Sequence, residues 1–310
     1  MSYRRRGNRA YGIVTHRTLY GTREAADAWL ELIANPAYRA PWLATSSELV
    51  RDLLLALRTL HALPHAKLVV LGCGDGIVEE AIGRELQRGA SDPLSCVLVD
   101  SNTFLLGCAM QRMSQTTTVD VALRMDFERD LQEILRVCRR PSDRSTRLIF
   151  TLMGGTLGNL EATEAEFFLE LAAGLRPGDS ILVDAAVKGN AWSIDTDPRM
   201  RPDKYPPIEK RFLAAGLAGQ LDVAAADVLA TYAERVRSTV DIETGSSVPG
   251  CHLIRHVDES SGRTFARFRR YDLERLASWL RDSSGLRLLH HGSPLLSERI
   301  VSVAFFVLSK

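Results

Sequence analysis

The sequence predicts an α/β protein whose mostly parallel sheet is covered by helices on both faces. A smaller helical and antiparallel element is inserted late in the chain. Three observations predict this. Between residues 67 and 185, five apolar runs of strand length alternate with four stretches of helical composition, as in βαβ units. The first run passes into its helix through Gly72-Cys73-Gly74-Asp75-Gly76. The chain ends in two strand-like runs joined by a loop too short for a parallel crossover.

The elements follow in order. Residues 1–9, MSYRRRGNR, are basic and read as a frayed tail. Helical periodicity covers 22–34 and 46–60. In the second stretch Leu49, Leu53, Ala56, Leu57 and Leu60 recur at three- and four-residue intervals, and Pro64 closes it. Strands are expected at 67–71, 96–100, 119–124, 147–152 and 180–185, with helices at 77–88, 103–113, 128–138 and 164–174. An insertion at 189–270 opens with a Pro-rich stretch, 197–207, followed by helical residues 208–231. Three β-like runs, 234–243, 251–257 and 263–269, complete it, with turns at 245–250 and 259–262. A helix at 272–282 and strands at 286–291 and 300–308 finish a seven-stranded sheet. The expected units are a helical part at 1–60, a core at 61–188 and 271–310, and the inserted α+β element at 189–270. The first and last of these together would form a lid.

At 310 residues and 45% hydrophobic content, the chain can bury a sizeable core. A net charge of +1 gives no general electrostatic hold on nucleic acid. The basic charge is carried by 34 arginines against 5 lysines, read as a codon bias. The Arg267, Arg269 and Arg270 cluster is expected on a solvated strand face. No apolar run reaches the ~18 residues that span a membrane, so no membrane partner is expected. The five cysteines are odd in number and form no C-x-x-C, so neither a disulfide framework nor a zinc site is indicated. A reduced, cytoplasmic setting fits that usage.

A strand, a glycine turn and a helix bring backbone N–H groups close to a ligand. The spacing is G-x-G-x-G, one residue shorter than the dinucleotide fingerprint. A ligand without a pyrophosphate fits a tighter loop, and the pattern resembles the first motif of class I S-adenosylmethionine-dependent methyltransferases. A parallel sheet finished by an antiparallel hairpin strand is their usual ending too. This resemblance implies a Rossmann-like fold with S-adenosylmethionine as cofactor and S-adenosylhomocysteine as product. Ligands of such sheets lie at the carboxyl ends of the strands. Asp100, ending the second strand, is placed to accept both ribose hydroxyls. Asp126, after the third, is placed to accept from the adenine amino group, with Phe127 over the ring. The fourth strand runs into a second glycine-rich loop, Met153-Gly154-Gly155-Thr156-Leu157-Gly158-Asn159. The candidate donor site is therefore Gly72, Cys73, Gly74, Gly76, Asp100, Ser101, Asp126, Phe127, Met153 and Gly154. The Asn/Asp-Pro-Pro-aromatic motif of adenine-N6 methyltransferases is absent at this point, which argues against a nucleic-acid substrate.

Residues 147–189 resemble the histidine-specific methyltransferase family, which includes the ergothioneine-pathway enzyme. Gly154 to Asn159 match its G-[ST]-[TS]-[IL]-G-N loop, and Pro177-Gly178-Asp179 its PGD turn. Lys188 survives from a Leu-Val-Lys-Asp segment, and Asp126-Phe127-Glu128 match a Gly-Asp-Phe-Glu segment. The resemblance implies that Asn159 contacts the acceptor. Asn35-Pro36-Ala37-Tyr38 is loosely similar to the family's Pro-Glu-Tyr-Tyr substrate loop, which makes Tyr38 a second acceptor candidate.

The chain departs from that family at the substrate. The Glu-x-Ser that reads histidine has no counterpart, Arg263 to Phe268 standing in its place. The Tyr-Asp-Asp-Ala-Ala-Gly segment is replaced by 198–207, with Tyr205 the nearest substitute. A site built to hydrogen-bond an imidazole cannot lose those partners and keep its substrate. The expected function is methylation of a small molecule other than histidine, favouring nitrogen in an amino-acid-derived compound or natural product. O- or C-methylation and a non-catalytic S-adenosylmethionine-binding regulator stay open, as does a homodimer. His256, His290 and His291 are read as packed or solvated rather than as bases.

Overall fold

The computed structural model describes residues 19–38, 51, 66–87, 93–139, 146–242, 245–293 and 299–310. Apart from Arg51, the expected helix at 46–60 lies outside them. Helix α1 (Arg23–Ala34) is capped by Thr22, whose hydroxyl accepts from the Ala25 amide at 3.1 Å. Then β1 (Ala66–Leu71), α2 (Ile77–Gln87), β2 (Ser95–Asp100), α3 (Thr103–Met113) and β3 (Thr118–Arg124) follow. They continue into α4 (Leu131–Cys138), β4 (Arg147–Leu152), α5 (Glu164–Gly174) and β5 (Ser180–Lys188). The insertion carries α6 (Pro207–Leu221), α7 (Ala225–Ala230), a helical turn at Tyr232–Arg235, β6 (Val236–Asp241), β7 (His252–Asp258) and β8 (Arg263–Arg270). Helix α8 (Leu273–Ser283), β9 (Arg287–Gly292) and β10 (Val301–Ser309) end the chain.

Seven strands form one sheet in the order β3-β2-β1-β4-β5-β10-β9. The pairings from β3 to β5 are parallel, and β10 is antiparallel to both its neighbours. This is the expected class I methyltransferase fold. The inner strands are mostly apolar because both faces are covered. Val69 and Leu71 join Val97, Phe150 and Phe168 on one face. Leu68 and Val70 meet Ile82, Leu106 and Met113 on the other. The chain works outward from β1 to β3 and then returns to place β4 on the other side of β1. That reversal opens a crevice at the carboxyl ends of β1 and β4.

The insertion builds its own three-stranded antiparallel sheet, β6-β7-β8. A third core joins it to the N-terminal segment, with Leu19 and Leu32 beside Phe212, Leu213, Tyr232 and Phe265. Glycines let α6 approach: a Cβ on Gly216 would lie 2.6 Å from Leu19, and one on Gly219 2.6 Å from Thr22. Arg211 and Glu31 pair across the same contact at 2.9 Å.

Three expectations are corrected. The helix expected from 128 starts at Leu131, because Asp126 and Asp130 close a turn first. In that turn the Asp130 side chain accepts from the Asp126 amide at 3.0 Å. The helix expected over 208–231 breaks at Asp222, whose φ of 56° is left-handed. Most importantly, Arg269 and Arg270 of β8 are not on a solvated face, while Arg267 is half-buried. Arg269 is 1% exposed and pairs with Glu164 at 3.3 Å. Arg270 is buried against Asp197 at 2.7 Å.

Candidate functional site

A cavity opens at the crevice, and ten residues expected from the sequence line it together with Asn159. These are Gly72, Cys73, Gly74, Asp100, Ser101, Asp126, Phe127, Met153, Gly154 and Tyr38. The first glycine turn is tied to β2: the amides of Gly72 and Cys73 donate to the Val99 carbonyl at 2.9 and 3.1 Å. Asp100 ties it further. Its Oδ2 accepts from the Gly74 amide at 3.0 Å and its Oδ1 from the Asn102 amide at 2.8 Å. Asp100 does not cap α3, since Asn102 does so through the amides of Phe104 and Leu105. Burial pushes the Asp100 carboxyl pKa up, and the amide hydrogen bonds oppose that shift. Gly72, at φ +71°, has Phe127 where a side chain would begin, 3.3 Å from an added Cβ. Any other residue there would be strained and would displace the Phe127 ring.

The second glycine loop is shaped from β5. Asp184, 2% exposed, accepts from the amides of Gly154 and Gly155 at 2.8 and 2.7 Å. Both glycines are left-handed, at φ 76° and 75°. Burial pushes the Asp184 carboxyl up to about 7. A 3₁₀ turn, Thr156–Asn159, follows and presents Asn159 to the cavity. Asn159 does not cap α5: Thr163 and Glu166 form a reciprocal capping box there. Glu128 anchors the end of the loop, accepting from the amides of Glu161 and Ala162 at 2.8 and 3.0 Å.

The opposite wall is aromatic. Tyr20 and Trp29 meet edge-on with centroids 5.4 Å apart, and Trp29 and Tyr38 at 6.2 Å. All three line the cavity, with Phe212 of α6 5.4 Å from Trp29. The Trp29 indole N–H reaches the first glycine turn, 3.8 Å from where a Gly74 Cβ would stand. Burial pushes the pKa of both phenols up, so they stay protonated.

Two expected residues lie elsewhere. Gly76 packs against α3, an added Cβ falling 3.2 Å from the backbone of Ala109. Tyr205 is buried in the third core, its hydroxyl 3.0 Å from Nε2 of His256 and its ring 5.2 Å from Arg199. His290 and His291 stack on Phe305 and Phe306 in the terminal hairpin. Lys188 donates to the Gly250 carbonyl at 2.6 Å, away from the cavity lining.

Sequence reasoning missed Asp184, Glu79, Tyr20 and Trp29. A carboxylate inside the apolar run Ile181 to Val187 was the available signal for Asp184, since such residues are seldom buried without partners. Among the described residues, no group of three or more His, Cys, Asp or Glu side chains is arranged to hold a metal ion. No described helix is long and apolar enough to cross a membrane.

No protein-family model and no curated protein matches the chain. Among solved structures it is similar to an S-adenosylmethionine-dependent methyltransferase from Clostridium acetobutylicum. The identity is 10%, over 91% of this chain and 98% of that one, with a TM-score of 0.46. It is also similar to the CcbJ methyltransferase from Streptomyces caelestis, at 14% identity over 94% and 98% of the two chains and a TM-score of 0.45. A third is 1,6-didemethyltoxoflavin-N1-methyltransferase from Burkholderia thailandensis, bound to 1,6-didemethyltoxoflavin and S-adenosylhomocysteine. There the identity is 9%, over 92% and 86%, with a TM-score of 0.46.

Proposed function

We propose that the chain is an S-adenosylmethionine-dependent methyltransferase acting on a small molecule, with an amine nitrogen as acceptor. The observation that carries this reading is the acidic lining of the cavity. Asp75, Glu79, Asp100, Asp126 and Glu128 line it, and no Lys, Arg or His does so among the described residues. Such a lining repels the pyrophosphate of a dinucleotide and suits a ligand bearing a sulfonium and an ammonium group. The bound donor would supply a methyl carbon already activated for displacement.

The protein's part is to hold two ligands in line and to exclude water. The Gly72–Gly74 turn and Asp100 receive the nucleoside sugar, and Asp126 and Phe127 the base. Asn159 and the aromatic wall hold the acceptor. Its neutral nitrogen would attack the methyl carbon, the N–C bond forming as the S–C bond breaks and leaves its electron pair on the thioether sulfur. The methylated ammonium would give up its proton to solvent on release. Tyr20 and Tyr38, kept protonated, serve as hydrogen-bond donors rather than bases. Loss of the family's histidine-reading residues argues against histidine as acceptor. The resemblance to the histidine-specific family supports nitrogen chemistry, and the carboxylate lining favours an amine without an acidic group.

The test is incubation with methyl-labelled donor and a metabolite extract, alongside calorimetric titration with S-adenosylhomocysteine. Binding with label transfer to a small amine supports the reading. Tight binding with no transfer to any metabolite would make the chain a non-catalytic binder instead.

A further inference from the structure

Glu79 stands in the first turn of α2, just after the first glycine turn. It is 5% exposed and lines the cavity. The other carboxylates of the lining have partners. Asp75 faces Arg112 at 3.3 Å, and Asp126 faces Arg129 at 3.4 Å. Asp100 and Glu128 each accept from two backbone amides. Among the described residues Glu79 has its own backbone amide and no cation. A carboxyl buried this far needs either a proton or a counter-charge from outside.

The groups facing Glu79 are of one sign: Asp75 from the loop, Asp100 from the end of β2 and Asp184 from β5, with the Cys73 thiol beside them. Burial first, and then these carboxylates, push its pKa to about 8, so the group is neutral near pH 7. Arg112 of α3 turns to Asp75 and lies 3.9 Å from Glu80, the next residue along.

We propose that Glu79 receives the α-ammonium group of the donor's amino-acid end and so positions the sulfur that carries the methyl group. This rests on the donor reading of the cavity above. Asp100 and Phe127 stand at the β2 and β3 ends of the crevice, where the nucleoside is placed. Glu79 follows β1, which in the sheet lies between β2, ending at Asp100, and β4, which leads into the Gly154 turn. It therefore stands on the β4 side of the nucleoside groups, toward Asn159, where the sulfur and its amino-acid end must lie for the methyl group to meet an acceptor.

Calorimetry on the full chain separates this role from a structural one. S-Adenosylhomocysteine carries the ammonium group, whereas 5′-methylthioadenosine shares the nucleoside and thioether and lacks the amino-acid end. Glu79→Gln is expected to weaken the first at least tenfold and the second less than twofold. A smaller loss for the first, or an equal loss for both, overturns the proposal. Should the variant fail to fold, the wild-type protein still decides. Titrations near pH 7 in buffers of different ionisation enthalpy are expected to show proton release with S-adenosylhomocysteine and none with 5′-methylthioadenosine. Equal proton release for the two overturns the proposal. If neither molecule binds the wild-type protein, the donor reading itself falls, an outcome distinct from binding that ignores Glu79.

Discussion

The Asp184 carboxylate, midway along β5, accepts a hydrogen bond from the Gly154 amide at 2.8 Å, and its second oxygen accepts from Gly155 at 2.7 Å. Two left-handed glycines are thus fixed by one side chain from the neighbouring strand. Asp184→Asn keeps the shape but turns one acceptor into a donor facing an N–H. Leaving that group unsatisfied costs about 1–3 kcal/mol. Denaturant unfolding should show this loss, and methyl transfer should fall with it, because Asn159 follows on the same loop.

Asp100 and Asn159 should separate binding from turnover. Asp100→Ala removes both the expected sugar contact and the acceptor for the Gly74 amide, so affinity for S-adenosylhomocysteine should drop more than tenfold by calorimetry. Asn159→Ala should lower kcat while changing donor affinity little, since Asn159 caps no helix. An equal loss in both quantities would make Asn159 a structural residue.

The glycines differ in what they protect. At Gly76 a side chain meets the Ala109 backbone at 3.2 Å in addition to backbone strain at φ +74°. At Gly154, φ is +76° and nothing lies within 4 Å. Gly154→Ala should therefore cost only the strain, about 1–2 kcal/mol. Gly76→Ala should cost more, lowering the unfolding midpoint further.

Buried acids give the protein a pH signature. Glu79 and Asp184 have folded-state values of about 8 and about 7, above ordinary values of 4.5 and 3.8. Between the two sets these groups bind more protons in the native state than in the unfolded chain, so their contribution to stability falls as pH rises from about 4 to about 8. His252 and His291, whose pKa burial lowers, act in the opposite sense below their ordinary value of 6.5. The lowered carboxyls of Asp197 and Asp258 act in the opposite sense and only below the ordinary carboxylate range. In Glu79→Gln the decline across that window should be shallower, as read by urea unfolding at several pH values.

Much of the sheet was legible because strands buried on both faces read as unbroken apolar runs. The place of Asp100 at the cavity was legible because a carboxylate that ends such a run lies at the carboxyl edge of the sheet, beside the glycine turn. Glu79 was not, since an acid in a first helical turn ordinarily complements the helix dipole. Trp29 and Tyr20 were missed because an aromatic residue in or before an amphipathic helix reads as core. Their place at the cavity depends on α6, nearly two hundred residues away in sequence. The β8 arginines were misread for the same reason: the acids that neutralise them, Glu164 and Asp197, lie on distant elements.

Arg269 is the clearest case. From β8 its guanidinium donates to the carbonyls of Leu160, Ala162 and Gly245 at 2.8, 3.0 and 2.6 Å. Arg269→Lys cannot span these acceptors with a single ammonium group. Leaving one of these buried carbonyls without its donor costs about 1–3 kcal/mol, and a thermal melt should register it.

The same guanidinium constrains how this protein can be re-engineered. Its reach ties the inserted sheet and the loop bearing Asn159 into one structural block. A hybrid that borrows the insertion from another protein while keeping the local 157–164 segment would leave Glu164 buried without its arginine. Transplants aimed at a new acceptor should succeed only when both segments travel together.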